Sequence, residues 1–194
     1  MLFPDRPGEV KEWVRELKEG DDSCLGQLMD HFGPQLMHYL MSILGRHEQA
    51  EDVFQDTWVR VMEKIDSFRE ESDFAPWLFR IARNRAYDLL RQRKVFLFSI
   101  DSGEENETTP LEIPVTERFS DNLADKDIVE KLMKSLEPVH REVLWLRFYQ
   151  EMSYEEIARF CHLPLGTAKS RLFRAMDRIG TLYSQLKGAR QWVR

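Results

Sequence analysis

The sequence predicts an all-α protein of two small helical domains, an N-terminal helical bundle and a C-terminal helix-turn-helix four-helix domain, joined by an acidic flexible linker. Three observations carry that expectation. Apolar residues recur at spacings of three and four through most of the chain, no stretch alternates in the β-branched manner of a strand, and one long segment has no periodicity at all. With 194 residues, 42% of them hydrophobic, the chain is long enough for each half to bury a core. The expected division is 1–95 for the first domain, 96–124 for the linker and 125–194 for the second domain.

In the first domain Leu25, Leu28, Met29 and Phe32 form one stripe and Leu36, Tyr39, Leu40, Ile43 and Leu44 another, with Gly33 and Pro34 marking a break or kink between them. Ala50, Val53, Phe54, Thr57, Trp58, Val61 and Ile65 then line one side of a helix. Its other side carries Glu48, Glu51, Asp52, Gln55, Asp56 and Arg60. After the polar turn "DSFREESD", Ser72 or Asp73 can cap a helix that holds Pro76 in its first turn and runs to about Lys94. Phe74, Trp77, Leu78, Ile81, Ala82 and Leu89 suit its buried stripe. Arg80, Arg83, Asn84, Tyr87 and Arg91 fall on another face, where such groups can grip phosphates and stack on bases.

Charge is segregated along the chain. Net charge is -6, yet Pro76 to Lys94 holds six basic residues against Asp88 alone, and Leu163 to Gly180 holds Lys169, Arg171, Arg174 and Arg178 against Asp177. Between them, Val95 to Asp125 carries eight carboxylates against Arg118. This stretch contains "SIDSGEENETTPLEIPVTERFSDN", which lacks periodicity, holds two prolines and is expected to be a linker with little regular structure.

The second domain is expected to hold helices over about Asp125 to Leu136, Pro138 to Tyr149, Ser153 to Cys161 and Pro164 to Leu182. Ser153 followed by Glu156 is a capping box, and Pro138 and Pro164 each stand where a helix opens. Two short helices with a tight turn, the second one basic, describe a helix-turn-helix whose second helix lies in the major groove. Leu165, Ala168, Leu172, Ala175, Met176 and Ile179 form its expected core stripe, packing against Ile157, Ala158 and Leu146. The opposite face presents Lys169, Ser170, Phe173, Arg174 and Asp177. An exposed Phe173 fits a thymine methyl, Lys169 and Arg174 can donate to guanine, and Ser170 can serve either kind of base edge. Arg171 and Arg178 lie nearer the phosphates.

Several function classes are excluded. No apolar run approaches the roughly 20 residues of a membrane span, and "MLFPDRPGEVKEW" lacks the basic region and apolar core of a leader, so a cytoplasmic chain without membrane insertion is expected. Cys24 and Cys161 lack CxxC spacing and read as small buried apolar groups; Cys161 and His162 are too few for a metal site, so neither metal nor cofactor is expected. Scattered histidines, no Gly-rich phosphate loop and no nucleophile beside a base argue against an enzyme and against a small-molecule substrate.

Taken in order, these motifs resemble the small two-domain sigma factors of bacterial RNA polymerase, the extracytoplasmic-function group, from about Asp22 to Leu182. "AEDVFQDTWVRV" is similar to the family's core-polymerase-binding helix, which implies that Glu51, Asp52, Gln55 and Asp56 dock on the polymerase clamp helices. "FREESDFAPWLFRIARNRAYDLLRQRK" resembles the region that melts and reads the -10 promoter element. The resemblance implies that the loop Ser67 to Phe74, with Phe68 and Arg69, captures a flipped base, and that Arg80, Arg83, Asn84, Tyr87 and Arg91 contact neighbouring nucleotides. "SYEEIARFCHLPLGTAKSRLFRA" resembles the -35 reader, with Tyr154, Thr167, Lys169, Ser170, Arg171, Phe173 and Arg174 at the DNA.

The same resemblance implies that the linker threads the polymerase channels, and that the partners are bacterial core RNA polymerase, promoter DNA and an anti-sigma factor. His162 stands in the turn where the family often has Gly, Met176 and Asp177 follow the "RA" where another basic residue is common, and Lys169 is sometimes Arg. A stand-alone helix-turn-helix repressor, or a sigma mimic that only sequesters an anti-sigma factor, is the alternative reading of the same residues.

Overall fold

The computed structural model of the chain describes residues 7–69, 72–99, 132–133 and 135–190. Among these, every regular element is helical, and the chain divides into two compact units, 2–110 and 111–194. Of the expected helix over Asp125 to Leu136 only Leu132, Met133, Ser135 and Leu136 are described, with Leu132, Met133 and Leu136 buried, and all but the first residues of the expected linker lie outside the described residues.

Among the described residues of the first unit are α1 (Pro7–Lys18), α2 (Ser23–Leu44), α3 (His47–Lys64) and α4 (Phe74–Ser99), with a 3-10 turn at Ile65–Ser67. Helices α2, α3 and α4 pack mutually, and α1 lies mainly on α2. Helix α1 was absent from the sequence expectation, although Val10, Val14 and Leu17 recur at four and three and are all buried. Lys18 at its end donates from Nζ to the carbonyl of Phe68 at 3.1 Å, and Trp13 meets His31 of α2 edge-on at 5.6 Å. It therefore braces both the bundle and the turn that precedes α4.

Of the break or kink expected at Gly33 and Pro34, no break is present: α2 runs through for 22 residues. Pro34 is exposed, so the Asp30 carbonyl that loses its helical donor faces water, which keeps the cost of the proline down. Gly33 is buried because α3 comes close there; a Cβ would stand 3.4 Å from Phe54 Cζ. The helix stops at Gly45, whose φ of 74° is the left-handed conformation glycine adopts without strain, and its amide donates back to Met41. Helix α4 continues past Lys94 to Ser99, since "VFLFS" contains no breaker.

In the second unit α5 (Pro138–Leu144) has Pro138 at its first position and widens into a π turn over Trp145–Tyr149, where Trp145 and Tyr149 stack at 5.1 Å. Then come α6 (Tyr154–Cys161) and α7 (Leu165–Arg190), the latter packed on both α5 and α6. Helix α7 extends past Leu182 because Gln185, Leu186 and Lys187 are good helix formers.

Both cysteines are free and buried, as expected. Cys24 is more than an apolar filler: its thiol donates to Glu16 Oε2 at 3.1 Å, and that carboxylate, with burial second, pushes its pKa up to about 11. At pH 8 only about a thousandth of it is thiolate. Native protein incubated with iodoacetamide at pH 8 and analysed by mass spectrometry is therefore expected to stay unmodified at Cys24, and to be alkylated fully once denaturant is added.

Candidate nucleic-acid and polymerase interfaces

On α3 the buried stripe of Ala50, Val53, Thr57, Trp58 and Val61 turns Glu48, Glu51, Asp52 and Gln55 outward. His47 Nδ1 lies 3.4 Å from Glu51 Oε2, while among the described residues Asp52 has no ion-pair partner. Asp56 differs from its neighbours: its Oδ2 accepts from Nε of Arg85 at 3.1 Å and from Arg85 Nη2, tying α3 to α4. That carboxylate is already engaged within the bundle, whereas Glu48, Asp52 and Gln55 are open polar groups of the same helix. Val59, seven residues after Asp52, shares their ridge and is 58% exposed. Sequence reading passed over it, although a valine out of phase with the apolar stripe is the signal that would have found it.

At the start of α4, Phe68 and Phe74, expected in the loop that captures a base, are buried. Phe68 packs on Phe74 at 5.6 Å and on Trp77 at 5.1 Å, and Phe74 also touches Phe32 of α2 at 5.6 Å. These rings are the footing of the loop, and their faces are already covered. Among its described residues, the loop turns Ser67, Arg69, Ser72 and Asp73 outward. Ser67 donates to the Lys64 carbonyl at 2.7 Å, and the Ser72 amide to the Arg69 carbonyl at 2.9 Å, so both ends of the loop are pinned.

Farther along α4, Leu78, Phe79, Ala82 and Ala86 are buried, and Arg80, Asn84 and Arg91 are exposed on the far side. Phe79, fully buried against Tyr39 at 5.5 Å, was missing from the expected stripe. The Arg83 guanidinium lies 4.8 Å over the half-buried ring of Tyr87, and Arg91 pairs with Asp88. The helix thus presents a row of donors with one aromatic edge, the chemistry suited to a nucleic-acid backbone and its bases.

The helix-turn-helix of the second unit is closed by local bonds. Ser153 Oγ accepts from the Glu156 amide at 3.2 Å, and the Ser153 amide donates to Glu156 Oε2 at 2.7 Å, completing the capping box. His162 ends α6 at φ 53°, the left-handed region, and the Pro164 carbonyl then takes the first bonds of α7 from Thr167 and Ala168. Ala168, Leu172, Ala175 and Ile179 are buried as expected, but Leu165 and Met176 are 37% and 44% exposed. They are a correction. Eleven residues apart, they fall on the same side of α7 at the edge of its stripe, which α5 and α6 leave uncovered.

Lys169, Ser170 and Arg174 are exposed, Thr167 and Arg171 half-buried, and Phe173 stands 74% exposed. Ser170 Oγ donates to the Thr167 carbonyl at 3.0 Å, which leaves its lone pairs outward. Tyr154 at the start of α6 lies between two cations: Arg147 Cζ is 5.5 Å and Lys169 Nζ 5.7 Å from its ring centroid.

Comparison with known proteins agrees with this geometry. Residues 28–95 match the family described as sigma-70 region 2, and residues 126–179 match sigma-70 region 4. The chain is 28% identical over 180 residues to the ECF RNA polymerase sigma factor SigW of Bacillus subtilis, covering 87% of this chain and 93% of that protein. It is 30% identical over 175 residues to the ECF RNA polymerase sigma-E factor of Salmonella typhimurium, covering 86% and 90%. Among solved structures, the sigma factor RpoE of Bartonella quintana, in complex with the anti-sigma factor NepR, is 30% identical with a TM-score of 0.63, covering 82% of this chain and 96% of that one.

The capping box and the turn yield two predictions. The Ser153 amide, donating to the carboxylate, and secondly the Ser153 side chain hold the Glu156 carboxyl below its ordinary value of 4.5. Because the folded value lies below the unfolded one, this contribution is complete above about pH 4.5 and is lost as pH falls through the folded value. Ser153→Ala should cost about 1 kcal/mol at neutral pH and make that acid limb only shallower, since the backbone amide that chiefly lowers the carboxyl is retained, read by urea unfolding at several pH values. His162→Val places a β-branched residue at positive φ and should lower stability by about 1–2 kcal/mol, while His162→Gly should not.

Proposed function

The chain belongs to the extracytoplasmic-function sigma factors, and on that premise we propose the following division of labour among its surfaces. It binds bacterial core RNA polymerase through the α3 face of Glu51, Asp52 and Gln55, with Val59 adding apolar contact and Asp56 holding α3 against α4. It reads and opens the -10 element with the loop from Ser67 to Asp73 and with Arg80, Arg83, Asn84, Tyr87 and Arg91. It reads the -35 element with Thr167, Lys169, Ser170, Arg171, Phe173 and Arg174.

The observation that carries this reading is Phe173, a large apolar side chain 74% exposed on a helix whose neighbouring positions are Lys169, Ser170 and Arg174. Left in water that ring is unfavourable; against a thymine methyl, with cations beside it for guanine and phosphate, it is at home. Free duplex DNA is bound weakly, since a chain of net charge -6 repels the phosphates its basic faces attract.

The chain acts as a specificity subunit of the polymerase. No described helix is long and apolar enough to cross a membrane, and we place the protein in the cytoplasm with the polymerase. The solved relative bound to NepR supports an anti-sigma factor as the inhibitory partner here as well.

Reconstitution with sigma-free core polymerase tests the assignment. Arg174→Ala is expected to cut transcription from promoters that depend on a -35 element by tenfold or more, the order of one lost bidentate base contact, and to leave core binding unchanged. Asp52→Ala is expected to weaken core binding measured by native gel or light scattering. Equal effects of both substitutions in both assays would sink the division of labour; duplex binding without polymerase would favour the repressor.

A further inference from the structure

The Tyr154 ring links three elements of the second unit: it belongs to α6, Arg147 approaches it from the π turn, and Lys169 reaches it from α7. Two of the three are held independently. Arg147 Nη1 donates to the Met152 carbonyl at 2.8 Å, and the capping box at Ser153 and Glu156 fixes the backbone on which Tyr154 begins α6. Lys169 has no such anchor: it is exposed, and among the described residues no carboxylate pairs with it. Among the described residues its partner is the ring, within the distance at which an ammonium is attracted to an aromatic face.

We propose that Tyr154 is a positioning residue that acts on the -35 element through Lys169, holding the ammonium in one orientation at the groove, and does not contact DNA through its own hydroxyl. A free lysine side chain samples many rotamers and must lose that freedom to make a directed bond to a base. A lysine already resting on a clamped ring has lost most of it before DNA arrives, so its preference for one base is sharper. The cation–π attraction needs the ring and not the phenol oxygen, which separates this role from a direct hydrogen bond to phosphate.

The inference rests on the reading of α7 as the -35 helix, and the test keeps the two apart. Holoenzyme reconstituted from the full chain and core polymerase transcribes a promoter library randomised across the -35 element, and the transcripts give a base preference at each position. Lys169→Ala should flatten one position. Tyr154→Leu should weaken that same position by roughly two- to fivefold, the effect of losing one exposed cation–π contact, with the other positions and the melting temperature nearly unchanged. Tyr154→Phe should behave as the unaltered protein, and Tyr154→Leu on a Lys169→Ala background should add nothing.

A Tyr154→Phe loss equal to that of Tyr154→Leu would overturn the proposal in favour of a phenol contact with DNA. A uniform loss at all positions, or an undiminished Tyr154→Leu effect without Lys169, would overturn it in favour of a structural role. If Lys169→Ala itself leaves every position intact, Lys169 reads no base and both the assignment of that residue and the inference fall.

Discussion

Each helix of this protein has one stripe to bury, and once that stripe is seated the bearing of every other side chain on the helix is decided. Residues three and four apart share a face, and the rest are carried round by about 100° per residue. In α4 the burial of Leu78, Phe79, Ala82 and Ala86 points Arg80, Asn84 and Arg91 away from the bundle. In α7 the burial of Ala168, Leu172, Ala175 and Ile179 leaves Lys169, Ser170, Phe173 and Arg174 outside. The interfaces need no pocket and no strained geometry; they are what remains of a helix after its apolar side is satisfied.

Small residues and rings make that seating close. Gly33 lets Phe54 approach α2, and alanines at 82, 86, 168 and 175 sit fully or almost fully buried where helices meet. The rings of Phe32, Phe68, Phe74 and Trp77 form a contiguous cluster beneath the loop that opens α4. The role we propose for this loop, accepting an unstacked base, would gain from such a floor, because its outward residues then start from one conformation. Helix α1 serves the same end through Lys18, which holds the backbone at Phe68.

Charge is arranged by face and not by total. An acidic α3 surface, a basic α4 surface and a basic α7 surface coexist within a net charge of -6. Salt screens exposed charges beyond about 10 Å, so what meets each face is governed by the charges of that face more than by the sum. A sigma factor benefits from this balance, since its DNA contacts are useful only after polymerase has been engaged.

The sequence by itself determined the helical class, the order of the modules, the capping box at Ser153 and Glu156, and the outward run Lys169, Ser170, Phe173 and Arg174. All of these depend on spacing within one helix or one turn, and spacing is written in the chain. Tertiary structure alone decided that Phe68 and Phe74 turn inward, that Asp56 is taken by Arg85, that α2 runs through Pro34, and that Leu165 and Met176 lie at an uncovered edge. It also decided that Tyr154 stands between Arg147 and Lys169. Each of these depends on which surface a neighbouring helix covers, and periodicity reports that a face is apolar or charged without reporting what comes to meet it.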